Sequence, residues 1–268
     1  MKNLKDIGKR LWVSTLSILL IGLMIGFSSY PIMKGIILIT FMGVASVAMW
    51  EYIQLVKAKQ ILLSIPLLIS SSVLLIGAFF CAAQFPFFIK LPIFLFFVLL
   101  FFIFLTKFGS IENSIEKMAL SSFGLLYTTI PIGMLLMILF SNHGVFWFIY
   151  LIAITKVTDA AAYFGGRLLG KTPLCAISPK KTLEGAFIGF VVAILISLLF
   201  SYSPFLTWKE ALILGIFIGS IGQIGDLAES LLKRDAKVKD SNTIPGLGGI
   251  LDMVDSLLFT IPILFFFL

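Results

Sequence analysis

Three short clusters of ionisable residues interrupt otherwise apolar stretches of the sequence. Lys156 and Asp159 lie in AITKVTDAAAYFGG, Asp226 and Glu229 in IGQIGDLAESLLKR ahead of Lys233, and Asp252 and Asp255 in GILDMVDSLLF. Their spacings of three, four and seven put each cluster on one helix face. Carboxylates brought close together repel, more strongly in a low dielectric, and a divalent cation is the natural remedy. With no His or Cys beside them they select a hard ion such as Mg²⁺, a second cation being left open. On this reading the metal ligands are Asp226, Asp252 and Asp255.

Two polar loops supply the opposite charge. KRDAKVKDSNTIPGLGG holds Lys233, Arg234, Lys237 and Lys239, and GGRLLGKTPLCAISPKKTLEG holds Arg167, Lys171, Lys180 and Lys181. Carboxylates that hold Mg²⁺, ringed by Lys and Arg, describe a site for polyphosphate. Gly246, Gly248 and Gly249 let backbone approach a ligand, and they lead into an apolar helix whose first N–H groups favour anions. The chemistry such a site suggests is phosphoryl or nucleotidyl transfer at a membrane surface. A plainer reading makes the loops mere orientation anchors, but simple anchors do not need Gly, Ser, Thr and acidic residues interleaved so thickly. Neither GxxxxGK[ST] nor a strand-bound GxGxxG is present. The one histidine, His143 in SNHG, reads as a turn residue, and Cys81 and Cys175 lack metal-ligand spacing and read as packing residues.

The elements that must position these residues are membrane helices. The 268 residues are 60% hydrophobic and 12% charged, against about 25% charged in soluble domains. That balance excludes a soluble globular protein, a disordered chain and a disulfide scaffold. Nine apolar segments are expected to span, at 11–29, 31–50, 61–82, 87–106, 118–140, 145–166, 185–204, 209–232 and 249–268, each near the ~20 residues a bilayer needs. The fold class is therefore an all-α polytopic membrane protein with about nine transmembrane helices, and short loops leave no room for a soluble catalytic domain. Of the 20 Lys and Arg residues, all but Lys34, Lys90, Lys156 and Lys209 fall in loops that share one side. This makes that side cytoplasmic, with the N-terminus inside and the C-terminus outside. The formal charge of +7 thus reads as an orientation signal, with no nucleic-acid partner. The first segment reads as a retained helix, since Gly26 to Pro31 offers no small-x-small cleavage site. By composition, residues 1–150 are transmembrane helices with sparse charges and no evident role beyond scaffold and lipid holding. Residues 151–268 carry the catalytic region and the two polar loops.

At these loops the sequence resembles a known family. Ser230-Leu231-Leu232-Lys233-Arg234, then Lys239-Asp240, then Pro245-Gly246-x-Gly248-Gly249, then Asp252-x-x-Asp255 resembles the signature of the CDP-diacylglycerol synthases, or phosphatidate cytidylyltransferases. Asp159 through Gly165 and Ser178-Pro179-Lys180-Lys181-Thr182-x-Glu184-Gly185 are similar to two further blocks of that family. The first 150 residues match only as a run of membrane helices. The resemblance implies that CTP and phosphatidate give CDP-diacylglycerol and pyrophosphate in phospholipid biosynthesis, with Mg²⁺ required. It implies a homodimer, while the short loops and the N-in topology suit a bacterial cytoplasmic membrane and leave an organelle membrane open. The family signature together with the residue reading, which supplies Asp226, makes the catalytic residues Asp226, Lys233, Arg234, Lys239, Asp240, Asp252 and Asp255. The substrate-binding residues are Asp159, Ser178, Lys180, Lys181, Thr182, Glu184, Gly248 and Gly249.

The sequence departs from the family pattern at Leu247, where His is usual, and at Met253, where Arg is usual. These departures keep open a CTP-dependent transferase for another lipid, such as a prenyl substrate. A third reading, an ion-coupled transporter using Lys156, Asp159, Asp226 and Glu229, would call for midplane carboxylates and inverted repeats. The charges cluster instead on one side, and no repeat is visible. The topology itself is testable: a reporter fused after Leu268 is expected to be active only outside the cytoplasm, and cytoplasmic activity would reverse the assignment.

Overall fold

A backbone in hydrocarbon has no water to bond, so apolar runs of this length close their own hydrogen bonds as helices. The computed structural model describes residues 22, 26–28, 30–106, 108, 113–238 and 249–268. Among these, eight helices are long and apolar enough to cross a membrane. They are α1 (Pro31–Ala58), α2 (Ile65–Gln84), α3 (Pro86–Leu105), α4 (Ser114–Leu139), α5 (Gly144–Leu169), α6 (Leu183–Phe200), α7 (Trp208–Asp235) and α8 (Ile250–Phe267). They coincide with eight of the nine expected spans. The ninth, 11–29, lies almost wholly outside the described residues. The chain is an all-α integral membrane protein.

Local chemistry sets several helix starts. Pro31, Pro66 and Pro86 stand in first turns, where a missing N–H removes no intrahelical bond. Pro131 follows a π-helical turn, Leu125–Thr129, inside α4. The wider turn accommodates a residue that cannot donate to the preceding turn.

Contacts divide the chain into two compact units, residues 1–141 with 236–253, and 142–235 with 254–268. In the first unit, α2 packs against α1, α3 and α4. Gly124 makes room for the Tyr52 ring, since a Cβ there would stand 2.6 Å from Tyr52 Cε1. The Tyr52 hydroxyl donates to the Leu120 carbonyl at 2.9 Å, and the Ser72 and Thr129 hydroxyls pair at 2.9 Å.

The second unit is built on close approach of small residues. A Cβ on Gly185 of α6 would stand 2.5 Å from the Ala162 carbonyl oxygen of α5, and one on Gly189 would stand 2.9 Å from Ala162 Cβ. Gly215 and Gly219 of α7 face Ser197 and Ala193 of α6 in the same way. Van der Waals packing of this kind is what joins helices when lipid and side chains are equally apolar. Buried Ser197 adds polar links, pairing with the Tyr150 hydroxyl at 2.7 Å and donating to the Ala211 carbonyl. Gly222 and Gly225 admit α8, and a Cβ on Gly225 would stand 3.0 Å from the Asp255 carbonyl oxygen.

The loop from α5 to α6 is pinned at its base. Leu174 and Lys181 bond through Leu174 N–H to Lys181 O at 2.8 Å, and Leu183 N–H donates to Thr172 O at 2.9 Å. Thr182 caps α6, its hydroxyl accepting the Gly185 N–H at 3.2 Å. The Glu184 carboxylate accepts the N–H groups of Lys171 and Thr172 at 3.1–3.2 Å. Ser178, Lys180 and Lys181 are thus carried on a closed loop.

Two outcomes follow from these contacts. Gly185→Ala is expected to cost about 1–3 kcal/mol by overpacking, while Gly35→Ala, with nothing within 4 Å, leaves thermal unfolding in detergent nearly unchanged. Glu184→Ala frees two backbone N–H groups, so tryptic cleavage at Lys171 is expected to quicken roughly tenfold. Unchanged cleavage would show that the carboxylate does not hold the loop.

Candidate active site

The geometry of the second unit brings three of the sequence-marked blocks to one cavity. Its volume is about 550 Å³, and its wall includes Asp159 from α5, Ser178, Lys180, Lys181 and Thr182 from the loop, and Asp226 from α7. Helix α5 presents Asp159, Ala162, Tyr163 and Gly166 at spacings that keep one face, and α7 presents Gln223 and Asp226 three apart. The close approach of α5 to α6 at Gly185 sets the loop beside that face. Both cationic and anionic side chains line the space, with Arg167 and Lys180 among the former.

One ion pair crosses elements and one lies within α5. Lys181 Nζ meets Asp226 Oδ2 at 2.5 Å, with both side chains about a third exposed, and Lys156 Nζ lies 3.8 Å from Asp159 Oδ2. The Ser256 hydroxyl of α8 donates to Asp159 Oδ2 at 3.2 Å, and the Ser256 N–H donates to Asp255 Oδ1 at 2.6 Å. Asp226 is close enough to repel both Asp159 and Asp255, and Lys156 attracts both. Three carboxylates and two lysines therefore form one electrostatic set.

Among the described residues, no three Asp, Glu, His or Cys side chains gather as a complete metal cage. Mg²⁺ does not need one, since it is held by one or two carboxylates together with substrate phosphates and water. Asp226 and Asp255, which repel each other, would supply hard oxygen ligands of that number. The donor set fits this ion and offers nothing to a soft one.

Other expected site residues stand elsewhere or do other work. Lys233 pairs with fully buried Glu229 on its own helix, and neither it nor Arg234 lines the cavity. Thr182 is on the cavity wall and is also the α6 cap. Glu184 turns its carboxylate to the loop amides. In the first unit, Asp252 Oδ2 accepts the Gly249 N–H at 3.0 Å, as a reciprocal helix cap does. Lys239, Asp240 and Gly248, as well as Leu247, lie outside the described residues.

The structure adds residues that the sequence reading passed over. Gln223 lines the cavity and donates to the Ala186 and Gly219 carbonyls, each at 3.1 Å. Its signal was present: a polar residue three positions before Asp226 in an apolar run. Tyr163 stands one turn beyond Asp159 and lines the same wall. Glu51, in the first unit, is fully buried and accepts the N–H groups of Ile250 and Leu251. It falls one residue beyond the expected span 31–50, and nothing in the sequence sets it apart.

Comparison with known proteins agrees with the motif blocks. A model of the Cytidylyltransferase family matches residues 9–268. A phosphatidate cytidylyltransferase of Bacillus subtilis is 37% identical over 244 residues, 87% of each chain. One of Chlamydia muridarum is 39% identical over 166 residues, 56% of this chain and 54% of that protein. A chloroplastic phosphatidate cytidylyltransferase of Arabidopsis thaliana is 53% identical over 110 residues, 38% of this chain and 27% of that protein. The matched region thus spans about half or less of the last two relatives. With the family model covering nearly the whole sequence and the bacillar relative aligned along most of its length, the chain belongs to the cytidylyltransferase family, that of the CDP-diacylglycerol synthases.

Proposed function

We propose that this protein is a membrane nucleotidyltransferase that converts CTP and phosphatidate to CDP-diacylglycerol and pyrophosphate. The observation that carries the reading is the cavity of the second unit, where Asp159, the Ser178–Thr182 loop and Asp226 share one wall. The names of the relatives favour neither the transporter reading nor another lipid substrate.

The reaction needs little acid–base help. The phosphatidate phosphate is already ionised near neutral pH, and its oxygen attacks the α-phosphorus of CTP as the bond to pyrophosphate breaks. The protein's task is to bring two anions together and to accept the charge that builds on the leaving group. Lys180, Lys181 and Arg167 face the cavity and would clamp phosphates; Ser178 and the Thr182 hydroxyl would orient them. Asp226 and Asp255 would hold Mg²⁺, and the assignment of Asp252 as a further ligand rests on its place one turn before Asp255. The bound ion would screen repulsion between the substrates and stabilise pyrophosphate. Lys233, Arg234, Lys239 and Asp240 keep catalytic assignments through the family signature.

This reading includes an inner-membrane location with the site on the cytoplasmic face, supported by the one-sided distribution of Lys and Arg. It also includes a homodimer, which the family resemblance supports, and no nucleic-acid partner.

Purified full-length protein in detergent is expected to form CDP-diacylglycerol from CTP and phosphatidate only when Mg²⁺ is present. Asp226→Asn is expected to lower kcat at least about a hundredfold with thermal unfolding near that of the parent. Full activity of Asp226→Asn would remove the metal assignment. Product formation from prenyl phosphates but not phosphatidate would replace the substrate.

A further inference from the structure

Glu51 lies near the end of α1 and is fully buried. Its two oxygens hold two successive amides of α8. Oε1 accepts the Ile250 N–H at 3.0 Å and Oε2 accepts the Leu251 N–H at 2.7 Å, across 199 and 200 positions of sequence. The amide before them, Gly249, is taken by Asp252 Oδ2 at 3.0 Å. Three consecutive N–H groups at the start of α8 thus end on two carboxylates, one local and one from another helix.

The first N–H groups of any helix lack intrahelical partners. A single acceptor would satisfy one of them and leave the helix free to turn about that bond. A carboxylate with one oxygen on each of two successive amides removes that freedom. It fixes the height and the rotation of the helix start together. The positive end of the helix dipole also favours a negative partner there. The side chain that rides on this clamped turn is Asp252, and Asp255 follows one turn later on the same helix.

We propose that Glu51 is a positioning residue for Asp252: its bidentate grip on the Ile250 and Leu251 amides sets the rotation of the first turn of α8 and so the aim of that carboxylate. The inference rests on the transferase reading for its kinetic consequence, while the clamp itself stands on geometry alone. Glu51 acts here through Asp252, a residue of the same unit, without itself touching substrate.

The test uses the full-length protein in detergent with Glu51→Gln and Glu51→Asp. Gln keeps the shape but replaces one acceptor oxygen by a donor; Asp keeps the charge but is one methylene short. Hydrogen exchange of the Ile250–Val254 amides reads the clamp, and the Mg²⁺ dependence of kcat, per folded molecule, reads the aim. For Glu51→Gln, amide exchange is expected to quicken and the half-saturating Mg²⁺ concentration to rise about 10- to 100-fold, with CTP KM changed less. Glu51→Asp is expected to fall between Gln and the parent, and it decides by the same criteria if Gln does not fold. Parent-like exchange and parent-like Mg²⁺ dependence would overturn the proposal. So would a lowered unfolding temperature with unchanged kcat and Mg²⁺ response in the folded fraction, which describes a structural cap only. If the parent protein makes no CDP-diacylglycerol, the transferase reading fails, and the positioning role fails with it even where exchange shows the clamp.

Discussion

Ion pairing in a medium that cannot solvate charge is the constraint on which the second unit depends. A lone carboxylate at membrane depth is costly, and removing one member of a buried pair leaves the other uncompensated. Lys181 answers Asp226, Lys156 answers Asp159, and Lys233 answers Glu229. The pairs differ in kind. Glu229 is wholly buried, so removing its partner on the next turn would leave a buried charge uncompensated. Lys181 and Asp226 are each about a third exposed, and solvent weakens their attraction. That pair can be parted at modest cost. On the proposed reading, a nucleotide with its cation offers each member a replacement, phosphate for the lysine and metal for the aspartate. The net charge of the wall then stays balanced through binding.

Bringing Lys181 of the loop to Asp226 of α7, with Asp159 of α5 beside them, requires backbones that approach closely, which accounts for the small residues at these contacts. Gly185 and Gly189 on α6 fit against Ala162 and its neighbours on α5, and Gly219 on α7 fits against Ala193. Larger residues at these contacts would move Asp159, the loop and Asp226 apart. The same glycines that join the helices therefore set the width of the cavity. Packing and site are one arrangement here, with Gln223 tying α7 to the Ala186 carbonyl of α6 at the cavity wall.

The eight described spans were legible because apolarity sustained over eighteen or more residues is a signal that no local detail overrides. The charged clusters were legible for the complementary reason: against so apolar a background each ionisable residue stands out. Side-chain-to-backbone bonds were not. Thr182 and Glu184 were marked for substrate; Thr182 lines the cavity and also caps α6, while Glu184 holds loop amides. Nothing in the block Ser178–Gly185 distinguishes a hydroxyl that faces a ligand from one that faces an amide three residues on. Glu51 was harder still, since its partners lie 199 and 200 positions away and such a bond leaves no periodicity in either segment.

The position of Glu51 bears on why a membrane enzyme of this size needs its apolar first unit. A transferase acting on a lipid headgroup cannot lift its substrate into a soluble domain without exposing the acyl chains, so the site must be made from helix ends and short loops. Helix ends are poor supports by themselves, because their amides are unsatisfied and their first turns fray. On the proposed reading, an end that carries a metal-binding carboxylate is best fixed from outside its own helix. A buried carboxylate on α1, locked within a packed helix and reaching two amides of α8, supplies that support at a fixed distance and with a fixed direction. The long apolar stretch of the sequence is then more than lipid-facing scaffold: it is what holds the carboxylate that holds the helix.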